Sequence, residues 1–190
     1  MSFIKHLLII LAIALVGLIA YAYSGHYQIS VGSGHNPITA WYLNTLRERS
    51  IEARAAKLSV PNDFDDDNRI AAGGRYYKRG CAGCHGSPGR EPTESFEPRP
   101  PALAKHAVDP KEAFWVIRNG IKMSAMPKHT KESEQEIWNI VAFLQRLPDL
   151  DKEQYEVVTS ESGAGAETDS AQPAEGESGN AESPSPAAES

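Results

Sequence analysis

Hydrophobic and polar positions divide this chain into an apolar opening, a series of helical patterns and a polar end. Positions 7–23 carry no charged side chain, 17 in succession behind Lys5 and His6. A run of that length sits at the short end for a helix that crosses a bilayer. Tyr21 and Tyr23 suit the aromatic belt at its edge, while Ala20-Tyr21-Ala22 also fits a small-x-small cleavage site. The segment 1–23 reads as an uncleaved anchor with Lys5 on the inner side, and a cleaved secretory signal is the alternative. Both export the rest of the chain.

Helical periodicity then appears four times. After a Gly/Ser/His-rich linker, Asn36-Pro37 makes an N-cap followed by a first-turn proline, and Ile38, Trp41, Tyr42, Thr45 and Leu46 recur at helical spacing. Ile51, Ala55 and Leu58 are expected to continue that face, giving an amphipathic helix over about 37–58. Such a helix packs on the body, lies on a membrane surface or meets a partner helix, with packing on the body preferred. The acidic stretch 61–67 lacks the glycine and closing glutamate of a calcium loop, and reads as a solvated linker ending in an N-cap.

Three further helices are predicted between 68 and 148. The first, about 68–80, puts Ile70, Gly73 and Tyr77 on one face. Its Gly73-Gly74 pair costs about 1 kcal/mol per glycine relative to alanine, a cost that makes sense where another helix crosses closely. The second runs from the Asp109-Pro110 start to the Asn119-Gly120 stop. The third starts with Ser133 and Glu136 spaced as a capping box, carries the stripe Ile137, Ile140, Val141, Leu144 and Leu147, and stops at Pro148. Beyond about 160 the chain is Ala, Gly, Ser, Pro and Glu with no aromatic or basic residue, a composition expected to stay disordered. Its seven acidic residues exceed the net charge of −6 of the whole chain, so the remainder is near neutral. The expected division is 1–23 anchor or signal, 24–67 linker with helix, 68–148 folded domain and 149–190 acidic tail.

The chain has two cysteines, and they stand in Cys81-Ala82-Gly83-Cys84-His85. C-x-x-C-H is the c-type haem attachment motif: two thiols three residues apart form thioethers with the haem vinyl groups, and the adjacent imidazole ligates iron. A structural zinc site needs four ligands, which a single cysteine pair does not supply. Iron held by one histidine leaves a sixth position, which a methionine thioether closes. Met123 and Met126 both lie in the Gly/Pro-bounded segment 120–127, and Met126 precedes Pro127, which fixes the backbone just past it. His106 and His129 are rival ligands. Both methionines are otherwise core filling.

With these pieces in order, residues 68–148 resemble a class I cytochrome c domain of the short bacterial kind. The resemblance matches Gly73 and Tyr77 to the family's glycine and aromatic residue before the haem motif. It matches Pro101 and Leu103 to the proline–leucine pair whose proline carbonyl orients the ligating histidine. Met126-Pro127 matches the family's methionine loop, and Ile140, Phe143 and Leu144 match the C-terminal helix that crosses the first. The extra thioether of Met123 departs from the pattern.

The resemblance implies an all-α cytochrome c fold of three or so short helices around one covalent haem c, attached at Cys81 and Cys84, with His85 and Met126 as axial ligands. Tyr77, Pro101, Leu103 and Trp115 would form the haem surroundings, Trp115 either donating its N–H to a propionate or filling the core. No triad, phosphate loop, paired-carboxylate site or nucleic-acid-binding basic patch accompanies it. The expected protein is a non-enzymatic electron carrier, single-pass in a bacterial cytoplasmic membrane with its haem domain in the periplasm, or soluble there after cleavage. Its partners would be membrane or periplasmic redox proteins. The alternatives are an electron-relay subunit of a larger membrane oxidoreductase, and a haem ligand sensor or small haem enzyme.

Overall fold

The structure, a computed structural model, describes residues 2–30 and 32–160. Among these the chain is helical, with no named strand. Helix α1 (Ser2–Tyr23) is 22 residues long, includes an 18-residue stretch of mean hydropathy 2.6, and has every side chain exposed. It begins earlier than the uncharged run, and at 1.5 Å per residue its length of about 33 Å matches a bilayer's hydrocarbon core.

Helix α2 (Pro37–Ala55) starts as its sequence directs, with the Asn36 side chain accepting from Thr39 N at 3.0 Å. It stops three residues short of the expected end, and its apolar positions do not form one face. Ala55 is buried and Leu58, just beyond the helix, packs on the core, whereas Ile38, Trp41, Tyr42 and Leu46 are exposed.

The body is built from α3 (Asp67–Gly80), the single turn α4 (Ala82–His85), α5 (Pro110–Asn119), α6 (Glu134–Arg146), a 3-10 turn (Leu147–Asp149) and α7 (Lys152–Val158). Caps set the starts: Asp66 accepts from Asn68 N and Arg69 N, Asp109 from Lys111 N and Glu112 N, and Ser133 forms the expected capping box with Glu136. Each cap satisfies amide donors that a helix start leaves unpaired.

Helices α3 and α6 make the main crossing. Gly73 lies against the Asn139 carbonyl so closely that a Cβ there would overlap it. The close crossing expected from the paired glycines is present. Tyr77, Ile137, Ile140, Val141, Phe143 and Leu147 are the fully buried side chains around it.

Two elements depart from the sequence reading. Residues 152–158, assigned there to the tail, form α7: Asp151 and Gln154 make a reciprocal capping box, and Tyr155 is buried with its ring 6.5 Å from that of Tyr77. The acidic stretch is more than a solvated linker. Arg69, 5% exposed, donates to the Asp63 carbonyl at 3.0 Å and to Asn139 Oδ1 at 2.8 Å, and pairs with the Asp63 carboxylate. That guanidinium holds the Asp63 carboxyl below its ordinary pKa and pins the stretch to α6. The acidic tail at 161–190 lies outside the described residues.

Candidate functional site

Cys81 caps α3, its N–H bonding the Tyr77 carbonyl at 2.9 Å, and the next turn carries the rest of the motif. Cys84 N and His85 N both bond Cys81 O at 3.0 Å. One helical turn brings residues i and i+3 to the same side, so the two cysteines share a face. Both are unpaired thiols. Burial, and then the neighbouring Cys84 and Glu132, push the Cys81 thiol up to about 12, so it stands neutral. The turn is braced twice more. Tyr77 Oη donates to the Gly86 carbonyl at 2.8 Å, and Thr93 N donates to the Cys84 carbonyl at 3.0 Å.

Tyr77 itself is wholly buried, packed on Phe143 and Tyr155, and holds the motif at both ends, by its backbone carbonyl at Cys81 and its hydroxyl at Gly86.

His85 is oriented by its other ring nitrogen. Nδ1 lies 3.0 Å from Pro101 O. A carbonyl only accepts, so Nδ1 carries the proton and Nε2 keeps its lone pair, the tautomer a metal ligand needs. Burial lowers the His85 pKa, an effect the Pro101 bond partly offsets, and the neutral ring is favoured. Leu103 packs half-buried against the core two residues later, and Lys105 closes the segment with an ion pair to Glu91 at 2.6 Å.

The two methionines separate sharply. Segment 120–129 is a closed loop: Ile121 N bonds Met126 O at 3.3 Å, and His129 N returns to Ile117 O at 3.0 Å. Gly120, at φ +67°, starts it where an added Cβ would stand 2.9 Å from Met126 O and Lys128 N. Ser124 Oγ receives Met126 N at 3.1 Å. These contacts turn Met126 inward against the core, while Met123, at φ +59°, is 88% exposed.

His129 is held elsewhere. Its Nδ1 lies 2.9 Å from Tyr76 Oη, which donates to Glu132 Oε1, so α3 is tied to the far end of the methionine loop. His106 is exposed. Trp115 faces α2, with the Arg54 guanidinium 5.8 Å from its ring centroid. Sequence reasoning did not foresee this cation–π contact.

The residue set fits a c-type haem. It offers two unpaired thiols on one turn, a neutral imidazole with its lone pair on Nε2, and a thioether turned inward on a separate loop. Tyr76, Glu132, Asp63 and Arg69 escaped sequence reasoning, because their partners lie up to 70 residues away and no local pattern marks them.

Comparison with known proteins agrees with this chemistry. Residues 68–144 match the family model described as "Cytochrome C oxidase, cbb3-type, subunit III". No curated protein and no solved structure matches the chain.

Proposed function

Residues 68–144 form a c-type cytochrome domain, and we propose that it serves as a monohaem electron carrier tethered to the outer face of a cytoplasmic membrane by α1. Cys81 and Cys84 would hold one haem c covalently, and His85 and Met126 would ligate its iron. The observation that carries the ligand assignment is the contrast between the inward Met126 and the exposed Met123, beside a histidine whose Nδ1 is already committed to Pro101.

Bound haem supplies a one-electron couple at iron. The chain's own residues do the rest. Pro101 fixes the His85 ring, the Gly120–Ser124 contacts hold the Met126 thioether, and the core excludes water behind them. With His85 and Met126 both committed to the iron, the site would offer a substrate no place to bind, and the chemistry supplied would be one-electron exchange without bond making. A tether at 1–23 raises the local concentration of the carrier at its membrane or periplasmic redox partners.

The test is an optical spectrum of protein matured with haem, beside Met126→Ala and Met123→Ala. The ferric methionine–iron charge-transfer band is expected to vanish in Met126→Ala, with a lower potential, and to persist in Met123→Ala. The reverse pattern would move the ligand to Met123. A high-spin spectrum in the unaltered protein, with carbon monoxide binding to the ferrous form, would point to a sensor or haem enzyme.

The description of the matched family favours a second reading, an electron-relay subunit of a larger membrane oxidase. Co-purification of oxidase subunits in mild detergent would select it over the free tethered carrier.

The Tyr76–Glu132 bond makes the loop acid-sensitive. Tyr76 lowers the Glu132 carboxyl below its ordinary value near 4.5. A depressed carboxylate contributes stability that is present above the unfolded value and lost as pH falls through the folded one. The methionine–iron band is therefore expected to fade below about pH 4.5 in the unaltered protein, and at higher pH in Tyr76→Phe. Coincident acid midpoints for the two proteins would refute the link.

A further inference from the structure

The unexplained feature of the fold is the first half of α2. Ile38, Trp41, Tyr42 and Leu46 are 78%, 66%, 58% and 55% exposed, a contiguous apolar stripe on a helix whose second half is packed. At 3.6 residues per turn this stripe is rotated by roughly 130° from Ile51 and Ala55. The body-facing side of α2 is set by the buried Ala55 and by Arg54 over Trp115 of α5. Rotation and exposure together leave the stripe unable to share that contact.

From this geometry we infer that the stripe from Ile38 to Leu46 lies on the lipid surface of the membrane that α1 spans, and holds the haem domain against it. The inference rests on the reading of α1 as an uncleaved anchor. Only residues 24–36 separate the two helices. At full extension 13 residues reach about 45 Å, so α2 never leaves the neighbourhood of the bilayer surface. Trp41 and Tyr42 have the amphipathic rings that favour the headgroup level. Apart from Arg54, which is turned to the body, the helix and its end carry Arg47, Arg49 and Lys57 against Glu48 and Glu52, a surplus of one cation that complements anionic lipid. A soluble partner would offer no reason for an aromatic, basic-flanked stripe placed one short linker from a membrane helix.

Because α2 also packs on α5, lipid contact through the stripe fixes how the haem domain stands on the membrane and limits which redox partners it meets.

The experiment uses the full-length holoprotein in nanodiscs of phosphatidylethanolamine and phosphatidylglycerol, with or without brominated acyl chains. Trp41 emission is read as the difference from Trp41→Phe. Brominated lipid is expected to remove most of the Trp41 signal and little of that from Trp115 and Trp138. Ile38→Ser/Leu46→Ser is expected to restore the Trp41 signal with an unchanged haem spectrum. Unquenched Trp41 in protein that resists alkaline carbonate extraction would overturn the inference and leave the anchor standing. Release by carbonate would overturn the anchor reading and this inference with it. Trp41 shielded from both bromine and aqueous acrylamide would assign the stripe to a protein partner and overturn lipid contact.

Discussion

Replacing Cys81 and Cys84 together by serine is expected to leave a chain whose cytochrome domain does not fold. Six side chains in the whole described chain are less than 2% exposed, and all six sit at the α3–α6 crossing or just after it. The helices that must form the domain have 14, 10 and 13 residues. Helices of that length are marginal alone and depend on tertiary burial. Leu103, Ala104, Val108, Ala113 and Met126 only partly reach that core. A covalently held haem would supply apolar mass that a domain of this size cannot build from its own side chains. Far-UV circular dichroism of the double variant should show helix from α1 and little else, with no cooperative thermal transition. A cooperative melt of undiminished amplitude would mean that the polypeptide folds without its cofactor.

The second large effect belongs to Gly73. Alanine there gains about 1 kcal/mol of helix propensity. Its Cβ, however, would overlap the Asn139 carbonyl, which is backbone inside α6 and cannot swing aside. Overpacking against a rigid neighbour costs about 3 kcal/mol. Gly73→Ala should therefore destabilise the holoprotein by about 2 kcal/mol, a fall in Tm of about 10 °C for a domain of this size. Gly83, where an added Cβ meets nothing within 4 Å, is the control, and Gly83→Ala should change stability by less than about 0.5 kcal/mol. Equal behaviour of the two variants would show that the α3–α6 spacing is looser than the structure has it.

Legibility followed range. The caps Asn36, Asp66, Asp109 and Ser133 act within three residues of themselves, so their side chains could be read as helix starts before any fold was known. The same locality holds for the haem motif, whose spacing is the chemistry, and for Gly73, whose penalty in a helix asks for a close neighbour. Reading failed where a distant partner chose the outcome. Nothing in Lys152–Val158 is strongly periodic, and α7 is held through Tyr155, which needs Tyr77 and Phe143 to pack on. The cation–π contact of Trp115 likewise needed α2 to bring Arg54 to it.

The sequence by itself determined the helix starts, the C-x-x-C-H motif, the apolar first segment and the Gly/Pro-bounded methionine loop, because each is written in neighbouring residues. Tertiary structure alone decided which side of α2 faces the body, that 152–158 folds back as α7, and that buried Arg69 reaches from Asp63 to Asn139. Those outcomes depend on burial, and burial is a property of what the rest of the chain places alongside.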